Sequence, residues 1–550
     1  MMKVVVIGLD GGTFDLILPW IEEGRLPHFK KILSRASSGD LDAGASPQTG
    51  ICWSTFITGC NLGKHGIYDF YVMDTTGSHN RPKPVSISHR DMPSLWSIIS
   101  RQNKKVAVFN VPMTYPPEEV NGIMASGFQS PPGSNDFTYP LALRKELDQV
   151  SGAYSIYPEG VSPETDLIGY LDAALAVTDK QFKAIDHFLA KGDWDLLMYV
   201  FQQTDILQHF YWHFMDTTHP LSKEDARLKN AIREMYEKVD EHLGEVLERL
   251  GEDRCLIMMS DHGVGPGYRR FWLNNWLMKE GYLKLKGGFS GFIKQQLFKM
   301  DIAEADLFNF FLKDSFIGKI RTFFTGKEVQ RKNRFFYKFS DIDWSKTKAY
   351  CTAYNQLSIN LKGREPEGVV SPGDEYQALR DELITKLKAV ISPLTDKPMM
   401  TEIYKKEDIY WGHQLQSLPD IIYVCDDFKT RSLGGYKIGS SKIMDTSPYL
   451  SGHHRRNGML ILYGEPFKPE FKVEGAKLTD LAPTILFLLG LEIPRDMDGR
   501  ILKEAFARPE AMCEKYSQDR SEVKAGLKKE HTDEAAQQIE EKLRSLGYLD

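Results

Sequence analysis

Six short apolar runs constrain what this chain can fold into: Val4 to Ile7, Val106 to Phe109, Leu196 to Val200, Leu256 to Met259, Ile421 to Val424 and Met459 to Tyr463. Most are preceded by a charged or polar residue and followed by a loop residue. Runs without polar alternation read as strands covered on both faces. Between them lie helical patterns around 15–34, 92–102, 170–191, 224–250, 374–391 and 477–490. Strands alternating with helices predict an α/β fold, a mainly parallel sheet with helices on both faces. Ligands of such sheets sit beyond the carboxyl ends of the strands. The residues just after each run are therefore the first place to look for chemistry.

Those residues are carboxylates, imidazoles and glycines. The first run ends at Asp10-Gly11-Gly12. The Leu196 run leads to Asp205, with His209 four positions on. The Leu256 run ends in Ser260-Asp261-His262-Gly263, and Ser451-Gly452-His453-His454-Arg455-Arg456 precedes the last run. On a helix, Asp205 and His209 share a face and can grip one ion. Asp and neutral His suit zinc, and Asp oxygens also suit manganese or magnesium. Three Asp (−3) beside two divalent cations (+4) leave a positive pocket matched to a phosphate. Two metals about 4 Å apart can hold the attacking and leaving oxygens of an in-line displacement. A nucleophile is available in the segment 46–59, with hydroxyls at Ser46, Thr49, Ser54, Thr55 and Thr58. Spacing alone does not choose among them.

Composition removes other classes. The 550 residues carry 69 Lys+Arg against 75 Asp+Glu, a net charge of −6, with 42% hydrophobic and 26% charged residues. That is too hydrophobic for a disordered chain and too near neutral for a general polyanion binder, so no nucleic-acid partner is expected. No stretch approaches the ~18 apolar residues of a membrane span. The apolar run at the amino end is stopped by Asp10, too early for a secretory signal. The six cysteines show no CxxC spacing and read as reduced thiols. A cytoplasmic protein is expected.

Two segments stand apart. From about 266 to 340 the chain is rich in Trp and Phe, and its later half is basic, with Lys313, Lys319, Arg321, Lys327, Arg331, Lys332, Arg334 and Lys338. It reads as a largely helical lid with a solvated basic face. The sharper alternative is a peripheral contact through 313–338 with a membrane or a lipid-linked substrate. Beyond about 504 the chain is highly charged, and Thr532 to Leu546 has the spacing of an exposed amphipathic helix.

An ordered set of these motifs resembles the type I phosphodiesterase/nucleotide pyrophosphatase branch of the alkaline phosphatase superfamily. The matching residues are Gly8-Leu9-Asp10-Gly11; Thr49 with Trp53-Ser54-Thr55-Phe56-Ile57-Thr58-Gly59; Gly63-Lys64-His65-Gly66-Ile67; Asp205 with His209; Ser260-Asp261-His262-Gly263; Gly452-His453-His454-Arg455; and Leu478-Thr479-Asp480-Leu481-Ala482-Pro483-Thr484. The resemblance implies an alkaline-phosphatase-like fold and a phosphohydrolase using two divalent ions, zinc first, with manganese or magnesium as alternatives. It implies Thr49 as nucleophile, forming a phosphothreonine intermediate. It places Asp10, Asp261 and His262 with Thr49 on one metal, and Asp205, His209 and His454 on the other. His453 fills the family's small-residue position and is a candidate substrate contact. Pyrophosphatases carry an Asn shortly after the His-Gly-Ile stretch, whereas Tyr68-Asp69-Phe70 follows here.

The expected substrate is a small phosphate ester, a diester before a monoester. A phosphotransferase or mutase of the same superfamily is the alternative enzyme, and a catalytically silent phosphate-ester-binding protein the alternative of another class. A sulfatase is disfavoured because no Cys-x-Pro-x-Arg stretch occurs. Since ligands at 10 and 454 must meet, 1–265 and 405–503 are expected to form one catalytic core. The segment 266–340 is then the insertion, 341–404 a mixed α/β subdomain, and 504–550 a helical tail.

Overall fold

The computed structural model describes residues 2–73, 82–287, 337–434, 437–438, 442–447, 450–511, 513–517 and 531–548. Among them the chain forms the expected α/β fold around a ten-stranded, mostly parallel sheet. Its centre is the ordered set Arg254–Met259, Lys3–Leu9, Leu196–Phe201, Val106–Val111 and Gly122–Ser126, all parallel. Asn457–Tyr463 adds antiparallel to Arg254–Met259 and carries Ser37–Asp42 on its other edge.

Strand Lys3–Leu9 shows why these runs lack polar alternation. Val5, Ile7 and Leu9 enter one core with the helices Phe14–Glu22, Leu167–Lys191 and Ala231–Arg249. Val4 and Val6 face the opposite core, beneath the helices Thr49–Thr58, Leu95–Arg101 and Leu481–Leu488. Both faces exclude water, so both side-chain sets are apolar.

Four runs take parallel places in this sheet; two do not. Met459 to Tyr463 is central but antiparallel. Ile421–Cys425 pairs instead with Met400–Lys405 and Gln356–Ile359 in a separate antiparallel sheet. That sheet has its own core with the helices Asp374–Lys388 and Leu273–Lys279. An apolar run reports burial on both faces but carries no information about its partner strand, so grouping 421–424 with the central sheet is corrected.

The expected lid falls, from 288 to 336, outside the described residues, and with it nearly all of the proposed 313–338 contact surface. The tail helix does form, at Asp533–Ser545, with the Thr532 hydroxyl accepting from Ala535 N. It is not an exposed helix. Ile539, Leu543 and Leu546 are buried in the main core, as is Tyr548. The amphipathic pattern gave one apolar stripe, and the molecule covers it. No helix among the described residues is long and apolar enough to cross a membrane.

Candidate active site

Three neighbouring strands end at the three aspartates. Asp10 follows Lys3–Leu9, Asp261 follows Arg254–Met259, and Asp205 lies in the first turn of Gln203–Met215, just after Leu196–Phe201. The parallel register aligns Leu9 with Phe201 and Gly8 with Met259, so the three turns leave the sheet at one level. The Thr204 hydroxyl donates to Asp10 O (2.6 Å) and Gln208 Nε2 to Gly11 O (2.9 Å), tying two of those turns together. Gly11 adopts φ +68° and its N–H donates to Asp261 Oδ1 at 3.2 Å. A positive φ at this point suits a glycine.

The histidines arrive from three places. His262 follows Asp261. His209 is one helical turn beyond Asp205, its Nε2 3.2 Å from Asp205 Oδ2. His454 lies on the strand Gly452–Arg455, which pairs with Gly263–Pro266 and sets Val264 opposite His454. Its Nε2 is 2.9 Å from that of His209 and 3.5 Å from Asp205 Oδ1. Each ring turns Nδ1 to a carbonyl: His209 to Gly452 O (2.9 Å), His454 to Pro47 O (2.7 Å) and His262 to Gly263 O (3.1 Å). A carbonyl only accepts, so Nδ1 carries a proton and Nε2 is the atom turned to the centre. This is how metal-binding imidazoles are oriented.

Of the five candidate hydroxyls, three serve their own helix region. Ser54 donates to Gly50 O, Thr58 donates to Ser54 O, and Thr55 Oγ1 pairs with His65 Nε2 at 3.1 Å. Thr49 is the first residue of the helix Thr49–Thr58, is buried, and sets its Oγ1 3.2 Å from His262 Nε2. A helix N-terminus offers unpaired N–H groups and a positive dipole end to an anion. Ser46 is buried in the preceding loop.

The donor chemistry fits cations. Asp10, Asp261 and His262 each offer a ligand atom within 4.8 Å of the others, and so do Asp205, His262 and His454. His262 belongs to both groups because its ring stacks on that of His454, centroids 3.6 Å apart. Asp10 Oδ1, Asp205 Oδ1 and Asp261 Oδ2 are buried without a hydrogen-bond partner in the structure. Burial, and then the neighbouring carboxylates, push the pKa of Asp10 and Asp261 well above the usual carboxylate range. Burial pushes His262 well below its usual range, and His454 also down, which keeps their Nε2 atoms unprotonated at neutral pH. Ionising a carboxylate buried this deeply costs several kcal/mol without a counter-charge. Two divalent ions would supply that charge.

Over Thr49 lies a small cavity lined by Pro47, Gln48, Phe70, His209, Tyr354, Asn355, Phe428, Arg431, His453, His454 and Tyr548. His453, the candidate substrate contact, is buried there with Nε2 unpartnered in the structure. Five lining residues had no sequence signal: Tyr354, Asn355, Phe428, Arg431 and Tyr548, all outside the motifs. Trp53 did lie within a motif, yet its role emerges only in three dimensions. Its indole N–H donates to Asp10 Oδ2 at 2.9 Å and fixes that carboxylate.

The fold and this donor set define an alkaline-phosphatase-like α/β protein. The chain belongs to the type I phosphodiesterase/nucleotide pyrophosphatase family, whose model matches residues 4–454. The family is one of phosphoesterases, and the chain is an enzyme of that class. Among solved structures, phosphonoacetate hydrolase from Sinorhizobium meliloti is similar at a TM-score of 0.50 and 12% identity, over 89% of this chain and 95% of that one. Human ectonucleotide pyrophosphatase/phosphodiesterase 5 gives 0.48 and 15% identity, over 92% of this chain and all of that one. A 2,3-bisphosphoglycerate-independent phosphoglycerate mutase of Vibrio vulnificus is 43% identical over 67 residues, 12% of this chain and 13% of that protein.

Proposed function

We propose that the chain is a two-metal phosphohydrolase that acts through Thr49 on a small phosphate ester, with phosphodiesters preferred. The observation that carries this reading is the position of Thr49. It combines a helix N-terminus, a 3.2 Å contact with His262 Nε2 and a cavity lined in part by His209, His453 and His454. Asp10, Asp261, His262 and Thr49 would hold one divalent ion, and Asp205, His209 and His454 the other. Zinc suits this Asp/His set, with manganese or magnesium as alternatives. Bound there, the ions supply Lewis-acid neutralisation of the phosphoryl oxygens and lower the pKa of a coordinated hydroxyl.

The chain's own groups then do the following. The helix N-terminus at Thr49 favours an anion, and His453 and Arg431 stand in the cavity wall to contact phosphoryl oxygens. Thr49 releases its hydroxyl proton to solvent and its Oγ1 bonds to phosphorus as the ester P–O bond opposite breaks, and the departing alkoxide takes a proton from solvent. Water then bonds to the phosphorus of the phosphothreonine, and Thr49 leaves with a proton to restore its hydroxyl. A reducing, cytoplasmic setting is part of the proposal and rests on six unpaired thiols, five of them buried.

The short mutase similarity favours one second reading, in which the intermediate passes to another hydroxyl instead of water. The test is metal analysis of the purified protein with turnover of bis-p-nitrophenyl phosphate and p-nitrophenyl phosphate. Wild type, Thr49→Ala and Asp261→Ala are compared. About two metals per chain, diester turnover above monoester, and loss of turnover in both variants are expected. Full activity in Thr49→Ala beside loss in Asp261→Ala would remove Thr49 as nucleophile. Equal turnover of both substrates would remove the diester preference.

A further inference from the structure

The segment 531–548 reaches into the site. Tyr548 is buried, and its hydroxyl donates to Asp205 Oδ2 at 2.5 Å across 343 positions of chain. Its ring packs edge-on against Phe70 and His209, with centroids 5.2 and 6.0 Å away, and against Phe128 at 5.2 Å. Phe70 thus leaves the stretch after His65-Gly66-Ile67 without an amide, and Tyr548 fills the space above it. Two residues of the cavity wall hold the segment by its backbone. Arg431 donates to Gly547 O (2.9 Å) and the Tyr354 hydroxyl to Tyr548 O (2.8 Å). With Tyr548 in place, the cavity over Thr49 has a free volume of about 20 Å³. That is room for one water, far too little for a phosphoryl group with its ester substituent.

Four residues of this segment, Ile539, Leu543, Leu546 and Tyr548, are buried, while Asp533, Glu534, Gln537, Gln538 and Glu541 face solvent. Away from the pocket it is held by hydrogen bonds to main-chain carbonyls, Ser162 Oγ to Ser545 O (3.3 Å), Lys542 Nζ to Pro158 O (3.5 Å) and His531 to Val85 O (3.1 Å), by His531 stacked on Tyr115 and by Lys542 over the Tyr157 ring. An apolar face of four residues offsets only part of the entropy of ordering the strap, so the strap can open while the main core stays folded.

We propose that residues 531–548 are an autoinhibitory strap: Tyr548 plugs the pocket over Thr49, and a phosphate ester enters only when the strap is released. The proposal rests on the reading of this pocket as a phosphate-ester site. Because strap and phosphate claim the same space, each must weaken the other's binding by the same factor.

The full-length, metal-loaded chain tests it in two independent ways. Ile539→Glu/Leu543→Glu strips the helix from the core, and Tyr548→Ala removes the plug while leaving the helix. Both are expected to raise kcat/KM for bis-p-nitrophenyl phosphate at least tenfold, chiefly through KM. A Ser162→Cys/Ser545→Cys crosslink, made with Cys513→Ser, is expected to suppress turnover until reductant is added. Unchanged or reduced turnover in Tyr548→Ala, with metal content and Tm retained, would overturn the proposal and make Tyr548 a built-in part of the site. The second readout needs no catalysis. Saturating inorganic phosphate is expected to speed amide hydrogen exchange in 533–545, and unchanged exchange would equally overturn the strap. If no variant hydrolyses any ester, the assigned function falls, and the exchange measurement alone decides the strap.

Discussion

His209 and His454 bring their Nε2 atoms within 2.9 Å across 245 positions of sequence, while each Nδ1 is engaged by a carbonyl. With each Nδ1 so engaged, the two Nε2 atoms face each other with Asp205 beside both, an arrangement that a shared proton or a cation satisfies.

Chelation should therefore destabilise the protein. Removing bound divalent ions is expected to lower Tm by about 3–6 °C, the effect of losing a ligand present at roughly a thousand times its Kd. Re-addition of zinc or manganese should restore it, and His454→Ala should cost one metal equivalent by elemental analysis. A Tm indifferent to chelator and metal would contradict the two-ion site.

Trp53→Phe keeps an aromatic ring in a fully buried position, smaller than the indole, and removes the donor to Asp10 Oδ2. Loss of an outer partner of this kind typically weakens metal binding by about 10–100-fold. Titration of the metal-free variant with zinc measures it; an affinity equal to wild type would show that the indole only packs.

Gly11 has no room for a side chain beside Asp205. A Cβ there would lie 2.9 Å from Asp205 Oδ1 and 2.8 Å from Val264 Cγ2, on a φ of +68°. Gly11→Ala is expected to cost about 1–3 kcal/mol of stability and to push Asp205 off its position, with kcat/KM falling at least a hundredfold. Urea unfolding and steady-state kinetics report the two effects separately. Wild-type values for both would refute the crowding.

Asp69 gives a pH prediction with a definite sign. Burial pushes its carboxyl up to about 7, against the hydrogen bond from Phe70 N and the nearby Arg431. A raised folded-state pKa contributes stability that is fully present below the unfolded value near 3.8 and is lost as pH rises through about 7. Asp69→Asn mimics the protonated form. Relative to acidic pH, it should stabilise the protein by on the order of 1.5 kcal/mol at pH 5 and about 4 kcal/mol at pH 8. Thermal scans at the two pH values decide it, and a variant less stable than wild type at pH 8 would show that the charge is paired.

Much of this was legible from residue order alone. Strands 3–9, 106–111, 196–201 and 254–259 follow from apolar runs, because a strand buried on both faces has no place for polar alternation. Asp10, Asp205 and Asp261 follow from the chemistry of parallel strand ends, and their meeting with His454 follows from the ordered motifs. What the tertiary structure alone decided is pairing and docking. The run at 421–424 is as apolar as its neighbours yet joins another sheet. The donor to Asp10 is an indole whose direction depends on how the helix Thr49–Thr58 packs. The amphipathic stripe at 533–545 promised only a helix with one apolar face, and the fold laid that face on the main core and carried Tyr548 to Asp205. Each of these depends on contacts between residues far apart in the chain, and local periodicity records how deeply a residue is buried, not which distant residue buries it.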